Sequence, residues 1–210
     1  RAGQVLRSRA VRINWNAIDP DTPQIHLNLF ENAKLTAEIN RLDRSVTGGY
    51  VWVGHITGEP DSVVTLSVQG NVLSGSVYRS GSEWVTIRYA GGEANDLYYI
   101  SEIDPDALQP TGIDHIVPQL SQSQIEELTP QQATCQEDGS EISLMVVYTA
   151  AARDTEGGSE AIEALINQRI SEMNTANRVS LVDFDWRLAQ AMEVSYAETG
   201  NIAADLQVLQ

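Results

Sequence analysis

Between residues 24 and 103, short runs rich in β-branched and aromatic residues alternate with turns marked by glycine, proline or aspartate. No other feature restricts the possible fold as strongly. In QIHLNLFE, Ile25, Leu27 and Leu29 share one face and His26 and Asn28 the other, the period of two that marks a strand with one buried side. YVWVGHIT follows Gly48–Gly49, and VVTLSVQ follows the turn residues Pro60 and Asp61. Gly70–Asn71 is a two-residue hairpin signal leading into VLSGSVYR, and EWVTIRY and LYYISEI complete the series. Strands at this spacing predict an antiparallel β-rich domain over residues 1–108, either a sandwich or a partly open barrel. The first dozen residues carry Arg1, Arg7, Arg9 and Arg12 without an acid and read as a solvated, poorly ordered terminus.

Residues 109–140 change character. Pro110, Pro118 and Pro130 lie among many Gln, Ser and Glu, the composition of an exposed linker open to proteolysis. From Ile142 the pattern changes again. ISLMVVY is apolar on both faces and predicts a strand in the middle of a sheet covered on both sides. Gly157–Gly158 break the chain, Ser159 is placed to cap a helix, and Glu160 and Glu163 suit its first turn. Ile162, Leu165, Ile166, Ile170 and Met173 form one apolar stripe at helical spacing. Val182, Phe184, Trp186 and Leu188 alternate with polar residues as a second strand, giving a βαβ unit, and TGNIAADLQVLQ opens a further helix. Two strands and one helix bury too little to stand alone, so residues 141–210 read as the N-terminal part of an α/β domain.

The charge excludes one class of partner. Acids number 29 against 13 bases, a net charge of −16, which repels phosphate backbones and excludes nucleic acid. No apolar run is long enough for a membrane-spanning helix. The chain begins at Arg1 with no leader visible, so any signal peptide is expected to have been removed.

A catalytic centre is not apparent. The three histidines, His26, His55 and His115, are never one helical turn apart, so no HExxH helix exists. His55 beside Val53 reads as a packed or half-exposed strand residue. There is no GxSxG elbow, P-loop or CxxC pair. Asp19/Asp21 and Asp183/Asp185 would each need more oxygens in register to hold calcium and read as solvated carboxylates. Tyr50, Trp52, Tyr78, Trp84, Tyr98 and Tyr99 would serve as a ligand platform if exposed together, although such residues usually pair across strands or fill a core.

Two stretches carry a resemblance. ISLMVVYTAAARDTEGGSEAIEALINQRISEMNTANRVS, followed by VSYAETGNIAADLQVLQ, is similar to the start of the catalytic domain of bacterial secreted reprolysin-like (metzincin) zinc metalloendopeptidases, the peptidyl-Asp metalloendopeptidase group among them. GGYVWVGHITGEPDSVVTLSVQGNVLSGSVYRSGSEWVTIRY resembles the hairpin series of that family's prodomain. The resemblance implies a secreted zymogen with three regions: a prodomain over 1–108, an activation junction over 109–140 and the opening of the protease domain over 141–210. It implies Zn2+ held by an HExxHxxGxxH helix encoded beyond Gln210, so no catalytic residue maps onto this chain. It also implies as partners the protease's own catalytic domain and protein or peptide substrates. The alternative is a non-enzymatic extracellular β-sandwich module for binding or assembly.

Cys135, the only cysteine, lies in the junction. Three roles stay open: a cysteine-switch ligand filling zinc's open position, a disulfide to a cysteine further along the protease domain, or a free thiol. ATCQEDG lacks the Arg-Cys-Gly surroundings of the best-known switches.

Overall fold

The strand runs form, but Pro60 and Asp61, expected as turn residues, lie within a strand, and the turn falls at Thr57–Gly58. The computed structural model describes residues 4–81, 83–91, 96–107, 141–201 and 204–205. Eight strands make one antiparallel sheet: β1 (Val5–Arg12), β2 (Gln24–Phe30), β3 (Ala33–Arg44), β4 (Tyr50–Ile56), β5 (Glu59–Gln69), β6 (Val72–Arg79), β7 (Glu83–Gly91) and β8 (Leu97–Ile103). The spatial order is β1-β8-β7-β6-β5-β4-β3-β2, so the strands neighbour one another in sequence order except that β1 crosses to pair with β8. The sheet curls into a half-barrel, the partly open barrel of the two expected forms. Gln69 pairs with Val72 around Gly70–Asn71, the two-residue hairpin expected there, with Gly70 at φ +55°.

The concave face holds the main core. Trp52, Leu66, Leu73, Val77, Val85 and Tyr98 meet there, all nearly inaccessible. Trp52 Nε1 donates to Thr22 O at 3.0 Å, and Tyr98 Oη accepts from Leu73 N at 3.1 Å, so the two largest buried side chains keep their polar atoms paired.

The N-terminal arginine-rich segment is not a loose tail. Residues 5–12 pair with β8, Arg7 bonds Glu102 at 2.5 Å and Arg12 pairs with Asp96. The acids that pair with it, Glu102 and Asp96, are remote in sequence, which explains why local sequence misses the strand. β3 likewise has no clear sequence signature, because AKLTAEINRLDR fits a helical pattern as well as a strand.

The second region contains β9 (Glu141–Thr149), α1 (Ala150–Glu156), α2 (Ser159–Val179) and β10 (Asp185–Val194). β9 and β10 pair in parallel, from Glu141 opposite Asp185 to Thr149 opposite Val194, with the helices between them. Thr149 caps α1 by accepting from Ala152 N. The expected cap at Ser159 does not form. Gly158 is the N-cap, no side chain bonds there, and Ser159 is the first helical residue. The second strand starts at Asp185, three residues later than the alternation from Val182 predicts.

β9 is not covered on both sides. Ile162, Ile166 and Ile170 of α2 pack with Val146, Tyr148, Leu188 and Ala191 on one face. Met145, on the opposite face, is 65% exposed, and Ile142, on the same face as Val146, is 41% exposed. Among the described residues, the apolar run that suits a central strand thus has β10 as its partner strand and helical cover on one face. Met173, placed in the same stripe by its spacing, lies exposed near the end of α2.

Candidate functional site: a polar clasp on the long helix

α2 has two working faces. Its apolar stripe serves β9 and β10. Its second stripe, Glu163, Asn167, Ser171 and Thr175 at intervals of four with Gln168 and Glu172 beside it, lies on the convex face of the eight-stranded sheet. Period two dictates what it meets there. Inward Val64, Leu66, Val68, Leu73 and Val77 alternate with outward Thr65, Ser67, Gln69, Ser74 and Ser76, and those polar residues are buried too. Small hydroxyl side chains let the helix approach closely, and Ala164 of α2 is fully buried against them.

The joint is built from side-chain hydrogen bonds. Ser74 Oγ donates to Gln168 Oε1 at 2.5 Å, and Gln168 Nε2 donates to Glu172 Oε1 at 2.7 Å. Ser76 Oγ donates to that same Glu172 oxygen at 2.5 Å. Arg41 Nη2 reaches Ser171 O at 3.0 Å and Thr175 Oγ1 at 2.8 Å, while Ser171 Oγ donates to Asp43 Oδ2 at 2.7 Å. Ser45 Oγ donates to Asn167 Oδ1 at 2.7 Å, Asn167 Nδ2 donates to Thr47 Oγ1 at 3.0 Å, and Gln69 Nε2 donates to Glu163 Oε2 at 3.0 Å.

Two glycines of the joint lie close to side chains across it. A Cβ on Gly70 would lie 2.4 Å from Glu160 Oε1, and one on Gly157 would lie 2.8 Å from the Tyr89 ring. Arg88 pairs with Glu156 at 3.1 Å near the second contact. Burial and then neighbouring Glu160 push the Glu163 carboxyl above its ordinary value, and the Gln69 hydrogen bond pulls the other way. Thr65 Oγ1 and Ser67 Oγ are buried beneath the helix with no partner among the described residues. Such an interface is specific in register and modest in net strength, because each bond replaces one to water.

The residues singled out by sequence do not converge. His26 Nδ1 lies 3.1 Å from Thr36 Oγ1 and His55 Nδ1 lies 2.9 Å from Asn40 Oδ1, each a half-exposed or exposed strand residue as read. Asp19 Oδ1 accepts from Asp21 N, closing a turn, and Asp185 pairs with Arg178 at 2.7 Å. Trp52 and Tyr98 are core, and Tyr78 and Trp84 pair with each other at 6.3 Å, so the six aromatics make no common platform. Cys135 and His115 lie outside the described residues, as does the junction 109–140. Among the described residues no three His, Cys, Asp or Glu side chains come close enough to hold a metal ion, and none fits a zinc site.

No family model matches the sequence. The chain is 27% identical over 210 residues to a peptidyl-Asp metalloendopeptidase of Xanthomonas campestris pv. campestris, an alignment covering 95% of this chain and 49% of that protein. The chain therefore spans about half the length of the curated relative it matches. A β-rich half-barrel whose convex face holds a long helix thus belongs to a chain distantly related to a metalloendopeptidase, a metal-dependent hydrolase.

Proposed function

We propose that this chain is the precursor segment of a secreted zinc-dependent metalloendopeptidase of metzincin type. Residues 1–108 form the prodomain, 109–140 the activation junction, and 141–210 the opening βαβ portion of the catalytic domain. The zinc-binding HExxH helix is carried beyond Gln210, so residues 1–210 alone have no peptidase activity. The prodomain acts as folding aid and inhibitor of its own catalytic domain. Cys135 in the junction serves as a switch ligand or as a disulfide partner.

The observation that carries this reading is the clasp. The β-rich region holds α2 of the second region through side-chain hydrogen bonds, while the apolar stripe of that helix goes to its own strands. A permanent domain core would be apolar, whereas a polar joint can part without exposing large apolar area. Among the described residues β9 and β10 make only a two-stranded sheet with helical cover on one face, which agrees with further strands joining its edges and further helices covering its other face. A non-enzymatic binding sandwich has less support, since the β-rich region forms a single sheet and its six candidate aromatics make no common platform.

The test is the longer precursor, assayed for cleavage of a protein substrate before and after proteolysis of the junction between Gln119 and Gly139. We expect activity abolished by a zinc chelator to appear on cleavage and to fall when the β-domain is added back. Equal activity before and after cleavage, or activity indifferent to chelation, would sink the proposal.

A further inference from the structure

We propose that the half-barrel carries a second, independent site, a pocket for a small amphiphile with a carboxylate head and a straight alkyl tail. This inference does not rest on the protease reading. β1 and β2 are the two edges of the sheet and face one another across a seam, because Arg9 Nη2 donates to Asn28 O and Arg7 Nη1 to Asn32 Oδ1. Behind the seam lies a cavity of about 450 Å³ with Leu66, Leu73, Ile87 and Ile100 among its walls. That volume is within the range of small-molecule sites, and eight-stranded barrels are wide enough to hold one such ligand.

The seam strand is unusual in one respect. The more buried positions of β1 are Val5, Arg7, Arg9 and Val11. Two inward arginines thus stand where the alternation calls for apolar residues. Arg7 is accounted for: it pairs with Glu102 and lies 4.0 Å over the Phe30 ring. Arg12, facing outward, pairs with Asp96. Arg9 lines the cavity, has no carboxylate partner among the described residues, and its Nε is buried with no acceptor. A buried guanidinium donor without an acceptor is costly. In a chain of net charge −16 an unneutralised cation at an apolar cavity is a local exception. Beyond the bond to Asn28 O the guanidinium keeps further donors on adjacent nitrogens, a pairing that matches the two oxygens of a carboxylate. Leu66, Leu73, Ile87 and Ile100 give a saturated chain an apolar wall, and the polar residues of the lining are Arg12, Asn14, His26 and Asn28 beside Arg9.

Isothermal titration of the whole 210-residue chain with decanoate, kept dilute enough to stay monomeric, reads the site directly. One-to-one binding is expected, with 1-decanol and decylamine each at least about tenfold weaker, the discrimination of one charged hydrogen-bond pair. Arg9→Met should bind decanoate no better than 1-decanol, with its melting curve reporting that it folds. If Arg9→Met does not melt cooperatively, Arg9→Lys keeps the charge, loses the fork and should still weaken decanoate severalfold. Ile87→Phe, which narrows the cavity, should reduce binding of acid and alcohol together. No saturable decanoate binding, wild-type affinity in the folded Arg9 variant, or saturation by a short apolar peptide instead of the acid would each overturn the proposal.

Discussion

Replacing Ser74 by alanine tests whether the clasp holds α2. Ser74 is 4% exposed and its hydroxyl is 2.5 Å from Gln168 Oε1, itself on a residue 1% exposed. Ser74→Ala removes one hydrogen bond and leaves a buried amide oxygen without its donor, which costs about 1–3 kcal/mol. At about 1.4 kcal/mol per factor of ten, the amides of α2 should exchange with solvent roughly 5- to 150-fold faster, provided the helix opens by leaving the sheet. Gln168→Leu removes the same bond from the other side and also the one to Glu172. With both substitutions together neither partner is left unsatisfied, so the double variant should be less destabilised than the sum by about 1–2 kcal/mol. Hydrogen exchange read by mass spectrometry over peptides of Ser159–Val179 gives all four corners of this cycle. Additivity within about 0.5 kcal/mol, or unchanged α2 exchange in Ser74→Ala, would refute the claim that these two side chains bear on docking.

Three further outcomes are expected. The folded-state pKa of Glu163 is raised, so its contribution to docking is present below the ordinary value of 4.5 and is lost as pH rises through the folded-state value; Glu163→Gln should flatten the fall in α2 protection with rising pH, and an unchanged profile contradicts this. Burial pushes the Tyr98 phenol up to about 12, so stability should fall as pH rises from 10.0 toward that value, and Tyr98→Phe should remove the latest-ionising component from a phenolate absorbance titration. Gly157 sits at φ +98° with its missing Cβ 2.8 Å from Tyr89, so Gly157→Ala should cost about 1–3 kcal/mol in thermal unfolding, and a neutral result would show that the α1–α2 joint is not seated on β7.

Most strands between Gln24 and Ile103 are legible because apolar residues recur at every second position and a turn follows; β3, whose AKLTAEINRLDR fits a helical pattern as well, is the exception. β1 is hidden because its inward positions carry Arg7 and Arg9, whose partners Glu102 and Asn28 are remote in sequence. The clasp is hidden for a related reason. Thr65, Ser67, Ser74 and Ser76 read as the solvated face of a meander, and only the helix lying over them makes them interior. A usable signal was nevertheless present: Asn167, Ser171 and Thr175 recur every fourth residue on a helix whose apolar stripe lies elsewhere, and two such stripes mean two covered faces. The misreading of β9 has a different origin. An apolar run records how many faces can be covered, not how many the described residues cover.

The most direct measurement is binding in trans. The proposed prodomain, residues 1–108, is titrated against the proposed protease portion of a longer precursor after cleavage of the junction, with peptidase activity as the readout, first as wild type and then as Ser74→Ala/Ser76→Ala. The wild-type domain should inhibit stoichiometrically and the double variant at least about tenfold more weakly, since two buried hydrogen-bond partners of α2 are lost. Equal inhibition by both would contradict the role assigned to the clasp, and absence of inhibition by either would contradict the prodomain itself.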